Sequence, residues 1–216
     1  MKINCIINET DLDSKTDVHI FSFLLKKIKD NVKINMVNVS NFKCDKASIN
    51  IYFNCINGCL LDYAKSNILI PSQHTFLTEW SGHLSNFNLI LAKTHYIETI
   101  LNSFIDKDKI KYIGWRSTDL NNNYDKDYSE WLLCAHDAKY TDYNKIITNW
   151  DESFPTLNIL NIKPIKQQKN INYLNQLSQN DFENLVNKCG IHLCLSMTDG
   201  FSHQINQCCL VKSIPV

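Results

Sequence analysis

Residues Cys189–Leu210 read CGIHLCLSMTDGFSHQINQCCL. The apolar run Ile191–Leu195 predicts a short strand that delivers Ser196. Thr198-Asp199-Gly200 predicts a tight loop, and Phe201–Val211 carries helical periodicity. Strand, loop and helix in this order are the repeating unit of a parallel sheet covered by helices. Gly200 at the helix start lets a ligand approach the backbone closely. The positive end of the helix dipole there favours negative charge such as a diphosphate. Asp199 and Gln207 lie eight positions apart, near two helical turns, a spacing that brackets one small polyol. An Asp-Gly cap followed by an amphipathic helix explains the same residues without a ligand.

The alternation extends over the rest of the chain. Strands are expected at Lys2–Asn8, Lys33–Val39, Ser48–Cys55, Asn67–Pro71, Asn88–Ala92 and Lys109–Trp115. A helix over Asp11–Lys29 places Val18, Phe21, Leu24, Leu25 and Ile28 on one face. A second, over Thr94–Ile105, turns Ile97, Ile100, Leu101 and Phe104 inward, with Thr94 as its cap. The polar stretch Asp119–Ser129 (DLNNNYDKDYS) reads as a linker. Beyond it come strands at Trp131–Ala135 and Thr156–Ile162, a helix at Asp142–Trp150 and a polar loop at Ile165–Asn175. Ser178 caps a helix running to Lys188 with Gly190 as its stop, and a last strand starts at Ile214. The expected fold class is α/β: two Rossmann-like β/α domains, 1–118 and 130–216, joined by a linker at 119–129. The second domain is expected to be incomplete, because a doubly wound sheet seldom ends on the first residues of a strand.

The 216 residues are 44% hydrophobic and 11% aromatic, enough for a folded core. Twenty-two basic and 22 acidic side chains cancel, so nucleic acid is disfavoured as the main partner. No apolar run reaches the roughly 18–20 residues of a transmembrane helix, and MKINCIINET opens as a strand, which points to a cytoplasmic protein. Nine scattered cysteines without C-x-x-C fit reduced thiols used as small hydrophobes. A metal set drawn from Cys189, His192, Cys194, His203 and Cys208 is the weaker reading, and no metal or other cofactor is expected. G-x-G-x-x-G, Walker A and G-x-S-x-G patterns are all missing, against dinucleotide, P-loop and α/β-hydrolase chemistry.

Cys189–Gln207 resembles the donor-site segment of retaining GT-B glycosyltransferases of the glycogen-synthase and sucrose-synthase kind, C-G-I-H-L-x-x-S-x-x-E-G-F-G-H-x-x-x-E-A. Cys189, Gly190, Ile191, His192, Leu193, Ser196, Gly200, Phe201 and His203 stay in register. Asp199 and Gln207 replace the two glutamates, and Ser202 replaces a glycine. Four further segments are similar in the same order. Ile70-Pro71-Ser72-Gln73-His74 matches I-P-N-x-E-W, Leu91-Ala92-Lys93-Thr94 matches L-C-K-T, Tyr112–Asp119 matches Y-I-G-F-T-S-x-D, and His136-Asp137-Ala138-Lys139 matches H-x-G-K.

The resemblance implies a nucleotide-sugar donor held by His136, Lys139, Gly200, Phe201, His203 and Gln207. Lys139 would contact the donor phosphates, and Tyr143 stands where a second basic residue is expected, with Lys145 nearby. It implies Asp199 facing the sugar and His74 serving the acceptor, with Ser72 and Lys93 on the acceptor side. The implied activity is sugar transfer to a hydroxyl acceptor. The rival is a weak or inactive GT-B-like scaffold whose site a partner chain completes, in line with the altered acidic positions. A flavodoxin-like or response-regulator-like pair is weaker, because no acidic pocket is evident near Asn8 or Glu9. His136 and His192, flanking apolar strands, also read as ordinary core histidines, and Lys93 and Lys139 as solvated lysines.

Overall fold

The computed structural model describes residues 1–29, 31–72, 76–120, 124–134, 143–160, 162–195 and 201–216. It divides into two compact units, one of Met1–Arg116 together with Phe201, the other built on Ser117–Met197 and Ser202–Val216. The first contains β1 (Lys2–Ile7), α1 (Leu12–Ile28), β2 (Lys33–Asn38), β3 (Ala47–Phe53), β4 (Ala64–Ile70), β5 (Leu89–Ala92), α2 (His95–Leu101) and β6 (Ile110–Tyr112). Its strands pair in parallel in the order β2-β1-β3-β4-β5-β6.

The strand period of two sorts side chains to opposite faces. Ile3, Cys5 and Ile7 of β1, with Phe53 of β3, pack under Val18 of α1. Ile6, Tyr52 and Leu69 face Leu60, Phe87 and Leu101 on the other side. The Asp11 carboxylate accepts from Asp13 N–H at the start of α1, and Lys26 and Lys27 occupy its last turn, both matched to the helix dipole. Thr94 caps α2 through Ile97 N–H. The helix stops at Leu101, so Phe104 is exposed rather than inward, and Ile28, expected on the buried face of α1, is 82% exposed.

One polar feature runs through this apolar sheet. Asn35, Asn4, Asn50 and Asn67 occupy paired positions on β2, β1, β3 and β4. Asn35 Nδ2 donates to Asn4 Oδ1 at 3.0 Å, Asn4 Nδ2 to Asn50 Oδ1 at 3.0 Å, and Asn50 Nδ2 to Asn67 Oδ1 at 3.2 Å. The second proton of each buried amide goes to a backbone carbonyl: Asp45 from Asn4 and Leu60 from Asn50. Asn67 donates to Leu61. Burial without unpaired amides makes the ladder a register device, since a one-residue slip would break each rung.

The second unit contains β7 (Asp127–Cys134), α3 (Tyr143–Asn149), β8 (Thr156–Leu160), β9 (Ile171–Leu174), α4 (Gln179–Lys188), β10 (Cys189–Leu193), α5 (His203–Leu210) and β11 (Ile214–Pro215). These strands are also parallel, in the order β11-β10-β7-β8-β9. Both units thus have the Rossmann-like α/β layout of parallel strands alternating with helices. Among the described residues, no helix is long and apolar enough to cross a membrane.

Three expectations are corrected here. The 119–129 segment is tied into the second unit: Leu120 is buried in its core, Tyr124 Oη donates to Asn184 Oδ1 at 2.6 Å, and β7 begins at Asp127. Part of the expected loop Ile165–Asn175 is strand β9, whose Asn172 Nδ2 donates to Asn158 Oδ1 at 3.0 Å on β8. Gly190 does not stop α4. Cys189 already leaves the helix in extended conformation, and Gly190 lies inside β10. A Cβ there would sit 2.7 Å from Tyr128 Cδ1 and 2.9 Å from Asp127 O of β7. Gly190→Ala therefore forces β10 and β7 apart. Chemical denaturation should show a loss of about 1–3 kcal/mol relative to the wild type.

Candidate functional site

Parallel α/β sheets bind ligands beyond the carboxyl ends of their strands, where the strand order reverses. In the first unit that reversal lies between β1 and β3; in the second it lies between β7 and β10.

The first unit fills its reversal point with its own side chains. Asp17, on the inward face of α1, accepts from Lys93 Nζ at 2.7 Å, Trp115 Nε1 at 2.6 Å and Asn54 Nδ2 at 3.2 Å. Lys93 Nζ also approaches Asn54 Oδ1 at 3.4 Å. Ser14 links Asp11 to the Phe53 carbonyl, and Asn54 Nδ2 reaches Ser14 Oγ at 3.3 Å. Asn54 holds a left-handed φ of 54°, which asparagine tolerates better than other side chains.

Lys93, expected as an acceptor-side or solvated lysine, is instead 4% exposed and committed to a buried ion pair. Ser72, just past β4, is buried as well. Asp11 and Asp13 also lie at the start of α1, beside the Asp17–Lys93 pair. The residues of this cluster that the sequence reading missed are Asp17 and Asn54. A charged residue beside Val18 on an inward helical face was the available signal. Lys93→Met would leave Asp17 buried and uncompensated, and urea denaturation should register a loss of about 3–5 kcal/mol. Combining it with Asp17→Leu should recover part of that loss.

The second unit brings the ends of β7 and β10 side by side, with Leu193 paired to Leu133. His136 and Lys139 follow β7 in the chain; Asp199 and Gly200 follow β10. These four, and His74 of the first unit, lie outside the described residues. Phe201, His203 and Gln207 are described, and each is half-buried. His203 Nδ1 lies 2.9 Å from Ser117 Oγ, which in turn lies 3.2 Å from the His203 carbonyl. Both contacts are satisfied when Nδ1–H donates to the hydroxyl and the hydroxyl donates to the carbonyl. Ser117 was not singled out from the sequence.

α5 begins at His203, not Phe201, because Ser202 Oγ caps it by accepting from Ile205 N–H at 3.2 Å. Gln204 Nε2 donates to Leu193 O at 3.2 Å, fixing the helix over the end of β10. Tyr143 is a core residue packed with Leu133 and Ile147, while Lys145, two positions on and around the other side of α3, is exposed. Among the described residues, no cluster of three or more His, Cys, Asp or Glu side chains is placed to hold a metal ion.

His192 is 2% exposed, and its Nε2 lies 3.1 Å from the Val186 carbonyl. Burial pushes its pKa down to about 4, so it is a neutral core histidine. A depressed folded-state value stabilises the fold above the unfolded value of 6.5, and that stability drains away as pH falls toward 4. The wild type should lose about 2–3 kcal/mol across this window. His192→Gln should flatten the slope in denaturation curves between pH 7 and 4. The carboxyls of Asp127 and Asp151, held low by hydrogen bonds from Ser129 and Ser153, lose their contribution only below that range.

No protein-family model matches this sequence, and no curated protein matches it. Among solved structures, the chain is similar to a UDP-GlcNAc 2-epimerase from Neisseria meningitidis bound to UDP-GlcNAc. The two share 9% identity, and the match covers 89% of this chain and 77% of the other with a TM-score of 0.49.

Proposed function

We propose that this chain binds a nucleotide-diphosphate sugar beyond the carboxyl ends of β7 and β10 and transfers the sugar to a hydroxyl acceptor. The observation that carries this reading is the reversal of strand order between β7 and β10. It starts two candidate segments, His136–Lys139 and Asp199–Phe201, from neighbouring strand ends. That is the position where a parallel sheet of this order takes nucleotides. In this reading Lys139 and the backbone at Gly200–Phe201 stabilise the leaving diphosphate. Asp199 positions the sugar as positive charge develops on it. Gln207 and His203 hold the nucleoside portion, and His136 flanks the phosphates.

One observation favours a non-catalytic binding protein of the same layout as the second reading. Ser202, standing where the resembled family has glycine, satisfies the Ile205 N–H that would otherwise face an anion. Tyr143 adds to this by burying the position at which a second phosphate-binding cation is expected. Titration calorimetry with a panel of UDP- and GDP-sugars tests donor binding. The expected result is micromolar to millimolar affinity that falls about 10–100-fold in Lys139→Ala, the loss of one charged hydrogen bond. No heat from folded protein at millimolar ligand overturns both readings. Binding with sugar release that Lys139→Ala abolishes supports transfer; binding without turnover supports the second reading.

A further inference from the structure

His203 opens α5, two positions after Phe201, and its backbone is fixed from both sides. Ser202 accepts from Ile205 N–H through Oγ at 3.2 Å and from Asn206 N–H through its carbonyl at 3.1 Å. Gln204 Nε2 donates to Leu193 O at 3.2 Å, at the end of β10. The imidazole itself is held by Ser117, which lies 86 positions away in the chain and is 1% exposed. Ser117 Oγ stands 2.9 Å from His203 Nδ1 and 3.2 Å from the His203 carbonyl oxygen. One buried hydroxyl thus clamps the ring and the backbone of the same residue, while the ring remains half-buried.

These two contacts determine where the ring proton sits. A serine hydroxyl carries one proton, and a carbonyl oxygen can only accept. The Ser117 proton therefore goes to the His203 carbonyl, and the 2.9 Å contact takes its proton from Nδ1. In a neutral imidazole, a proton on Nδ1 leaves Nε2 as an acceptor. An unrestrained histidine side chain favours the opposite tautomer, with its proton on Nε2, so Ser117 works against the ring's own preference. We propose that Ser117 is a positioning residue that fixes His203 as the Nδ1–H tautomer, so that Nε2 accepts a hydrogen bond from a ligand hydroxyl. A phosphate oxygen, itself an acceptor, finds no proton at Nε2 of the neutral ring. For the identity of the ligand this rests on the donor-binding reading above. It assigns His203 to the hydroxyl-bearing part of the nucleotide-sugar and leaves the diphosphate to Lys139 and the backbone at Gly200–Phe201. Gln207 lies one helical turn on from His203, in the same row of α5, and its amide oxygen adds a second acceptor there.

Nitrogen-15 NMR of the full chain with labelled histidine rings reads the tautomer directly. His203→Asn identifies the His203 signals among those of the seven histidines. The expected wild-type pattern in mildly alkaline buffer is an N–H type Nδ1 and an unprotonated Nε2. Ser117→Ala should move the ring toward Nε2–H, and Ser117→Thr, which keeps the hydroxyl, should restore the wild-type pattern. A wild-type ring with its proton on Nε2 overturns the proposal, and decides the matter even where Ser117→Ala does not fold. So does Ser117→Ala protein of unchanged circular dichroism that keeps the Nδ1–H pattern. Titration with the UDP- and GDP-sugar panel should shift Nε2 while it stays unprotonated, and Ser117→Ala should weaken binding about 2–10-fold. A ring that gains a second proton on binding marks a phosphate contact and overturns the hydroxyl assignment. No response to any sugar nucleotide removes the donor-binding reading and the hydroxyl assignment with it, whereas the ligand-free tautomer still decides the role of Ser117.

Discussion

Amide-to-amide hydrogen bonding across four adjacent strands sets the geometry on which the first unit depends. Apolar strands such as KINCII and KINMVN slide past one another at little cost, because one isoleucine packs much like the next. An asparagine at the same height on each strand removes that freedom, since a buried amide out of register loses its partners. Register in turn decides how the ladder strands end, and those ends carry Asn54 and the turn into α1. Asn54 reaches Asp17 from β3, an end the ladder aligns, while Lys93 reaches it from β5 outside the ladder.

The two units answer the same topological opportunity differently. At the β1–β3 reversal, polar side chains among the described residues satisfy one another. At the β7–β10 reversal, the described side chains work on the periphery. Gln204 braces the helix, Ser117 orients His203, and His192 is spent on a carbonyl in the core. The first sheet thus spends its charged and amide side chains on one another at this end, whereas the second uses its described ones to brace α5 and β10.

Hydrophobic periodicity made most of the architecture legible. The six strands of the first unit, both of its α-helices and the Thr94 cap follow from patterns of two and 3.6, because burial dictates those positions. Polar structure was harder to see. β9 escaped because INYL sits among lysines, glutamines and asparagines, and its pairing rests partly on the amide bond between Asn172 and Asn158. Gly190 carried the mark of a helix stop, but close packing of β10 on Tyr128 is what requires a glycine there. Lys93 looked solvated because its partner, Asp17, is 76 positions away, a distance over which no local pattern operates. The ladder itself left a trace that passed unread, the recurrence of Ile-Asn at 3–4, 34–35 and 49–50. Candidate site residues named by motif, such as Phe201, His203 and Gln207, fall on one helix and its approach, whereas the serine orienting His203 comes from a remote segment.

The ladder has a consequence for how this chain can change over time. Each inner rung is both donor and acceptor to its neighbours, so replacing one asparagine strands groups on the strands beside it. Single substitutions at Asn4 or Asn50 are therefore closed routes, and the row can be exchanged for an apolar one only by several coordinated replacements. The amino-terminal half of this sheet is, in that sense, an evolutionary ratchet.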